Sequence, residues 1–132
     1  MNQVIKGVLI TPNKKGSKPR KYEFETDSYK DYYKLLDCRT FDIQTRKFGK
    51  YWLDIYCDDE GLFKEENKPS IVTLDNGEIV EVIVGSVFIT GHNEDGETIS
   101  LTDEEIEEVL STVSMVTFRK NPQPITVCIA RI

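Results

Sequence analysis

Apolar and polar residues alternate along much of this chain, a pattern that predicts half-buried β-strands. The alternating runs are rich in β-branched and aromatic residues, and turn-forming residues separate them. They place strands near residues 4–10, 21–25, 41–44, 51–57, 71–74, 79–84, 87–90, 114–119 and 125–131. The first two strands and the last two are each expected to form a hairpin, and Asn76-Gly77 suits the type I′ turn of another. Gly85 interrupts an apolar run without ending it, so we expect one long, bent strand from residue 79 to residue 90.

Two segments have helical spacing instead of alternation. The first predicts a short helix at about residues 28–37, with Thr26, Asp27 or Ser28 as candidate N-caps. The second predicts a helix at about residues 103–113, whose apolar stripe is Ile106, Val109, Leu110 and Val113. The chain is therefore predicted to be α+β, a mostly antiparallel sheet with two helices and a C-terminal hairpin. Its 132 residues suit a single domain spanning residues 1–132.

The start of the second helix carries the most complete local signal in the chain. Thr102 and Glu105 have the spacing of a capping box, in which each side chain accepts a hydrogen bond from the other's backbone N–H. Leu101 and Ile106 occupy the two positions of a hydrophobic staple. Acidic residues in the first turn also complement the positive end of the helix dipole. We therefore interpret this acidic segment as structural rather than catalytic.

Charge is divided unevenly between the two halves of the chain, whose net charge is −6. Residues 1–56 hold 12 Lys and Arg against 7 Asp and Glu, whereas residues 57–132 hold 5 against 16. Such asymmetry can mark a surface that binds a charged partner. No apolar run approaches the roughly 18–20 residues that a membrane span requires. The N-terminal residues lack the pattern of a secretory signal, so we expect a cytoplasmic protein.

The residues that usually carry catalysis or bind metals are sparse. His92 is the only histidine, and the three cysteines contain no Cys-x-x-Cys pair. We interpret His92 as a residue at the end of a strand, although a Cys–His dyad formed in space remains open. Residues 91–102 look like a calcium loop, but Gly91 and Thr102 would occupy ligand positions that require a carboxylate. Neither glycine-rich phosphate motif occurs. We therefore expect a non-enzymatic protein without a cofactor.

Two basic runs offer a candidate surface for nucleic acid or another partner. The first is a loop at residues 14–21, and the second is followed by an aromatic pair that could stack on bases. The candidate contact residues are Lys14, Lys15, Lys18, Arg20, Lys21, Arg46, Lys47, Lys50 and Trp52. The acidic block of residues 57–108 could instead engage a basic protein surface. A third alternative is a nucleotide pocket lined by Tyr29, Tyr32, Tyr33 and Trp52.

Three segments resemble a known family, the domain of unknown function 3846 of bacteria, phages, plasmids and conjugative elements. They are Ile83-Val84-Gly85-Ser86-Val87-Phe88-Ile89-Thr90, Glu94-Asp95-Gly96-Glu97 and Ser100-Leu101-Thr102-Asp103-Glu104-Glu105. The resemblance covers roughly residues 4–112; the basic loop is longer than usual, and residues 114–132 extend beyond it. It implies a small accessory protein of a mobile genetic element, a setting in which genes often encode regulators or inhibitors of host defence.

Together these observations favour a binding module that engages a protein partner through a charged surface. The alternative is a protein that binds nucleic acid or a nucleotide with the basic loop at residues 14–21 and nearby aromatic residues. The two readings differ in one structural expectation. A groove shared by the two basic runs favours nucleic acid or a nucleotide, whereas dispersed cations beside an exposed apolar patch favour a protein partner.

Overall fold

A computed structural model describes residues 3–11, 18–61, 69–75, 78–120 and 123–131. Within these residues the chain forms ten strands and two helices. In chain order they are β1 Gln3–Ile10, β2 Arg20–Thr26, α1 Asp31–Leu36, β3 Phe41–Phe48, β4 Tyr51–Asp58, β5 Pro69–Asp75, β6 Glu78–Val84, β7 Val87–His92, β8 Thr98–Ile99, α2 Asp103–Thr112, β9 Val113–Lys120 and β10 Gln123–Arg131. The α+β prediction is confirmed. No described helix is both long and apolar enough to cross a membrane.

The larger sheet has six strands, five of them in the order β2-β1-β7-β4-β3. The short β8 pairs with the end of β7. Every pairing in this sheet is antiparallel, and β1 and β2 form the predicted hairpin, with Gln3 opposite Thr26 and Leu9 opposite Arg20. The edges of the sheet are therefore β2 on one side and β3 on the other.

Successive side chains along a strand point to opposite faces of the sheet, and each face of this sheet packs against other elements. The inner face packs against α2 and against Ile71 and Ile83 of the second sheet. The outer face packs against α1, with Tyr32 and Leu36 of the helix buried over Phe88 of β7. Only part of the outer face lies beneath this helix, which has six residues.

The second sheet has four strands in the order β6-β5-β10-β9. The predicted C-terminal hairpin is confirmed, since β9 and β10 pair antiparallel along eight residue pairs. β10 also pairs with β5, in the parallel direction, and so occupies the interior of this sheet. β5 and β6 form the third predicted hairpin, but its Asn76-Gly77 turn lies outside the described residues.

The prediction of one bent strand across Gly85 is wrong. β6 belongs to the second sheet and β7 to the first, so the chain changes sheets between Val84 and Val87. Gly85 has φ of +92°, a conformation that L side chains rarely adopt. The glycine therefore ends a strand and redirects the chain rather than bending a continuous strand.

The N-terminus of α2 matches its prediction closely. The backbone N–H of Glu105 donates to Oγ1 of Thr102 at 3.1 Å, and the N–H of Thr102 donates to Oε1 of Glu105 at 2.8 Å. Leu101 and Ile106 of the predicted staple are both buried. The predicted apolar stripe needs one correction: Leu110 is 38% exposed, whereas its neighbour Val109 is fully buried.

The first helix is shorter than predicted and begins differently. α1 starts at Asp31, and its N-cap residue makes no side-chain hydrogen bond, so none of the three candidate N-caps has that role. Instead, the Asp31 carboxylate accepts hydrogen bonds from the N–H of Asp27 at 3.0 Å and the hydroxyl of Thr26 at 3.0 Å. These bonds, that of Asp27 foremost, lower the pKa of Asp31. A carboxylate in the first turn of α1 therefore binds the segment that leads into the helix.

Candidate functional site

The two basic runs lie at opposite edges of the larger sheet. Arg20 and Lys21 belong to the β2 edge, where Lys18 precedes them, and Lys47 belongs to the β3 edge. Four strand spacings separate these edges, or about 19 Å. Lys14 and Lys15 lie outside the described residues. The described cations therefore form no single groove.

The second basic run is itself divided. Arg46 lies on the inner face and donates to the carbonyl of Thr45 and to the side chain of Gln44, each at 2.8 Å. Lys47 lies on the outer face, directly opposite Trp52. Lys50 follows in the turn, with its ammonium 5.3 Å from the centre of the Tyr51 ring. The three cations consequently face three different environments.

The Lys50 turn lies beside the acidic helix α2. A shallow cleft there is lined by Lys50, Tyr51 and three glutamates of the helix. Gly49, with φ of +62°, lies so close to Glu108 that a Cβ at this position would collide with the carboxylate. At the other edge, the ammonium of Lys21 is 3.7 Å from the carboxylate of Asp103. The acidic helix α2 therefore lies beside cations of both runs and forms an ion pair with Lys21.

The part of the outer face beyond α1 carries the most exposed aromatic side chain of the described sheet. Trp52 is 60% exposed although it lies within β4, and Ile43 of β3 on the same face is 44% exposed. Lys47 lies directly opposite Trp52, and Ile43 lies four residues away along β3, opposite Tyr56. We call Ile43, Lys47 and Trp52 the Trp52 patch.

Next to this patch the outer face holds a cluster of polar side chains. Asp54, two residues from Trp52, accepts a hydrogen bond from the hydroxyl of Thr45 at 2.8 Å. Nδ1 of His92 lies 3.2 Å from the same carboxylate oxygen, without the alignment of a hydrogen bond. The hydroxyl of Thr90, opposite Asp54, is fully buried and has no hydrogen-bond partner among the described residues. Thr90 is too buried to act as a nucleophile beside the Asp54–His92 pair.

A second feature of the outer face is a solvent-open cleft of about 430 Å³ between α1 and β8. The aromatic rings of Tyr32 and Tyr56 stack at its base, 4.3 Å apart. The hydroxyls of Tyr56 and Thr98 share a hydrogen bond. Burial first, and then the neighbouring Tyr56, raise the pKa of Tyr32. We call this site the tyrosine cleft.

The predicted nucleotide pocket is only partly assembled. Tyr29 and Tyr32 line the tyrosine cleft, as predicted. Tyr33 packs against Phe41 on another side of the helix, and neither Tyr33 nor Trp52 is among the described residues that line the cleft. The cleft instead gains Tyr56 and Thr98, which sequence analysis did not select. No local sequence pattern predicts that Tyr56 and Thr98 come into contact, because 42 positions separate them.

Asp54 was also missed, although a local signal exists. It is an acidic residue within the otherwise apolar run Leu53-Asp54-Ile55-Tyr56-Cys57, where a buried carboxylate needs hydrogen-bonding partners. Among the described residues, no group of three or more His, Cys, Asp or Glu side chains is arranged to hold a metal ion. The chemistry of the outer face is therefore that of aromatic contact, hydrogen bonding and charge.

Comparison with curated proteins and with solved structures found no significant match. Comparison with protein families matched residues 5–114 to the Domain of unknown function DUF3846. The match includes both helices and every strand of the larger sheet except the first two residues of β1, and it ends before most of β9 and all of β10. The chain belongs to the DUF3846 family.

Proposed function

We propose that this protein is a non-enzymatic, cytoplasmic binding module that engages a protein partner through the Trp52 patch. The observation that carries the proposal is the exposure of Trp52 within a paired strand. A tryptophan left in water retains a large apolar surface that a partner can bury. Tryptophan is also enriched among the residues that contribute most to protein–protein affinity.

The composition of the patch supports a protein partner over a nucleic acid. Ile43 adds exposed aliphatic surface further along the same face, opposite Tyr56, and Lys47 is the single cation of the patch. Sequence-independent nucleic-acid binding depends on several cations that contact successive phosphates. The described cations of the two basic runs lie instead at two edges of the sheet, and Lys21 is paired with Asp103 of α2.

The resemblance to a family of accessory proteins of mobile elements indicates which kind of protein the partner is. We propose that the partner is a protein of the host or of the element itself, and that binding regulates it. Family-level analogy supplies this context, whereas the site itself supplies the mode of contact. The proposed role is therefore recognition by the Trp52 patch, and the Asp54–His92 pair lies beside this patch on the same face.

The test is affinity capture from host lysate at low salt with matched surface variants. Trp52→Ala and Ile43→Ser should each lose a partner that the wild-type protein retains. Ile99→Ser is the control, because Ile99 is 43% exposed, nearly equal to Ile43, but lies in β8, away from the patch. Equal capture by all variants, or loss with Ile99→Ser alone, would contradict the proposal.

Trp52 also provides a direct readout, since it is the only tryptophan in the chain. Titration with the captured partner should shift the indole emission to shorter wavelength as the ring leaves water. A nucleic acid in place of the protein should give weak binding that disappears steeply with salt. Tight nucleic-acid binding that quenches Trp52 and requires Lys47 would replace the protein partner with the alternative function.

A further inference from the structure

We propose that the tyrosine cleft is a binding site for a guanidinium or ammonium group. The cleft holds about 430 Å³, within the range of pockets that bind small ligands. Two carboxylates, Asp27 and Glu97, line it, and none of the described lining residues is Lys, Arg or His. A cation is the ligand whose charge this lining complements.

The negative charge of the cleft comes from its acidic residues and not from Tyr32. The pKa of Tyr32 is raised by burial, so its hydroxyl stays protonated and neutral at physiological pH. The hydroxyl oxygens of Tyr32, Tyr56 and Thr98 are hydrogen-bonding groups that can accept from a bound donor. A guanidinium brings five N–H donors and no acceptor, which matches a site rich in oxygen atoms.

An exposed aromatic ring completes the site. Tyr29 is 61% exposed and lines the cleft, and its ring makes an edge-to-face contact with Tyr33 at 6.2 Å. A cation near the face of a tyrosine is attracted by the quadrupole of the ring. The cleft thus combines two acidic residues, three hydroxyl groups and an exposed ring, and each of these features favours the same class of ligand.

The position of the cleft suggests where the cation comes from. Tyr56 and Trp52 lie on the same face of β4, four residues apart, or about 14 Å along the strand. A protein seated on the Trp52 patch therefore reaches the cleft within a standard interface. The assignment to a partner's Arg or Lys rests on the proposed function, whereas binding of the cation itself does not.

The test is a titration of the isotope-labelled protein followed by NMR, with N-acetyl-argininamide as the probe. The matched neutral ligand is the citrulline analogue, which has nearly the same shape and no charge. We expect the backbone signals of Thr98 and Tyr56 to shift with the arginine amide only. Glu97→Gln and Asp27→Asn should each weaken binding by roughly two- to fivefold, as expected for loss of one solvent-exposed ion pair.

Glu94→Gln is the control variant, since it removes one negative charge from the same turn outside the lining of the cleft. It should bind the arginine amide as the wild type does. Equal binding of the citrulline analogue, or equal weakening by Glu94→Gln and Glu97→Gln, would overturn the inference. Thermal unfolding of each variant, unchanged from wild type, verifies that the cleft is folded.

Spermidine distinguishes the two sources of the cation. Binding of spermidine at least tenfold tighter than the arginine amide assigns the cleft to free polyamines, and the opposite order assigns it to side chains of a protein. Both results support a cation site. If Trp52→Ala loses the captured partner but binds the arginine amide normally, the two proposals stand separately. Normal partner capture without any cation binding would refute only the present inference.

Discussion

Removal of the Thr102 hydroxyl should destabilise the protein without altering its binding surfaces. In Thr102→Ala the N–H of Glu105 loses its acceptor, which lies 3.1 Å away in the wild type. The reciprocal bond, from the N–H of Thr102 to the Glu105 side chain at 2.8 Å, can persist. The substitution thus removes one half of the capping box and no part of the outer face.

The expected loss is about 1 kcal/mol of unfolding free energy, the usual effect of replacing an N-cap threonine by alanine. The entropy of unfolding of a 132-residue chain is about 0.28 kcal/mol per kelvin, from the average per-residue value. The melting temperature should therefore fall by about 4 °C. Ile106 and Val109 attach α2 to the core of the larger sheet, so weakening the N-terminus of α2 should destabilise the fold as a whole.

The assay is urea and thermal unfolding of the wild type, Thr102→Ala and Thr102→Ser. Serine keeps the capping oxygen, so Thr102→Ser should be within a few tenths of a kcal/mol of the wild type. Partner capture by Thr102→Ala below its melting transition should equal that of the wild type. Equal instability of the serine and alanine variants would refute the capping argument. Loss of binding at unchanged stability would show that the segment is functional and not structural.

Three further predictions concern stability. Gly49→Ala should lower the unfolding free energy by about 1–2 kcal/mol, because φ is +62° and a Cβ meets the Glu108 carboxylate. In thermal unfolding, the double variant Gly49→Ala/Glu108→Ala should remain less stable than Glu108→Ala alone, because the backbone strain persists without the carboxylate. In urea unfolding, Val109→Ala should lower the unfolding free energy by about 2 kcal/mol, and Leu110→Ala should lower it by less than half as much, because Val109 is buried and Leu110 is partly exposed. Equal losses for the two variants would contradict this difference in burial. Asp31 has a lowered pKa in the folded state, so its charged form stabilises the fold above the ordinary pKa of 3.8, and this contribution is lost as pH falls below that value. Unfolding free energies measured across this acid range should therefore depend less on pH in Asp31→Asn, and an unchanged acid limb would exclude the role of this carboxylate.

Local patterns were sufficient wherever one segment decides its own structure. The capping box of α2 was predicted correctly because Thr102 and Glu105 are three residues apart and need only each other. The position of β4 was also predicted correctly, although the strand is buried on both faces from Leu53 to Asp58 and its burial does not alternate. Gly85 shows the limit: its sequence context permits a bend or a break, and only the separate pairing of β6 and β7 decides between them.

The sites on the outer face depend on distant segments and so exceeded what sequence could predict. The tyrosine cleft needs α1, β4 and β8 to converge, and Tyr32 and Tyr56 acquire their stacked contact only through that convergence. The two basic runs illustrate the opposite case. They look alike as sequence, but the strand order β2-β1-β7-β4-β3 places them at opposite edges. Sheet order, which no local pattern encodes, therefore determines how far apart the two basic runs lie.

The interior position of β10 imposes an order of events during synthesis. β5 and β6 leave the ribosome early, and about 40 residues separate the end of β6 from the start of β10. At roughly 5–20 residues per second, the backbone of β5 waits about 2–8 s for its parallel neighbour. Throughout that interval a strand destined for the middle of a sheet is an open edge, which another nascent chain can pair with. Rapid completion of the last strand thus protects the newborn protein from aggregation, and slow codons after β6 should lower its soluble yield.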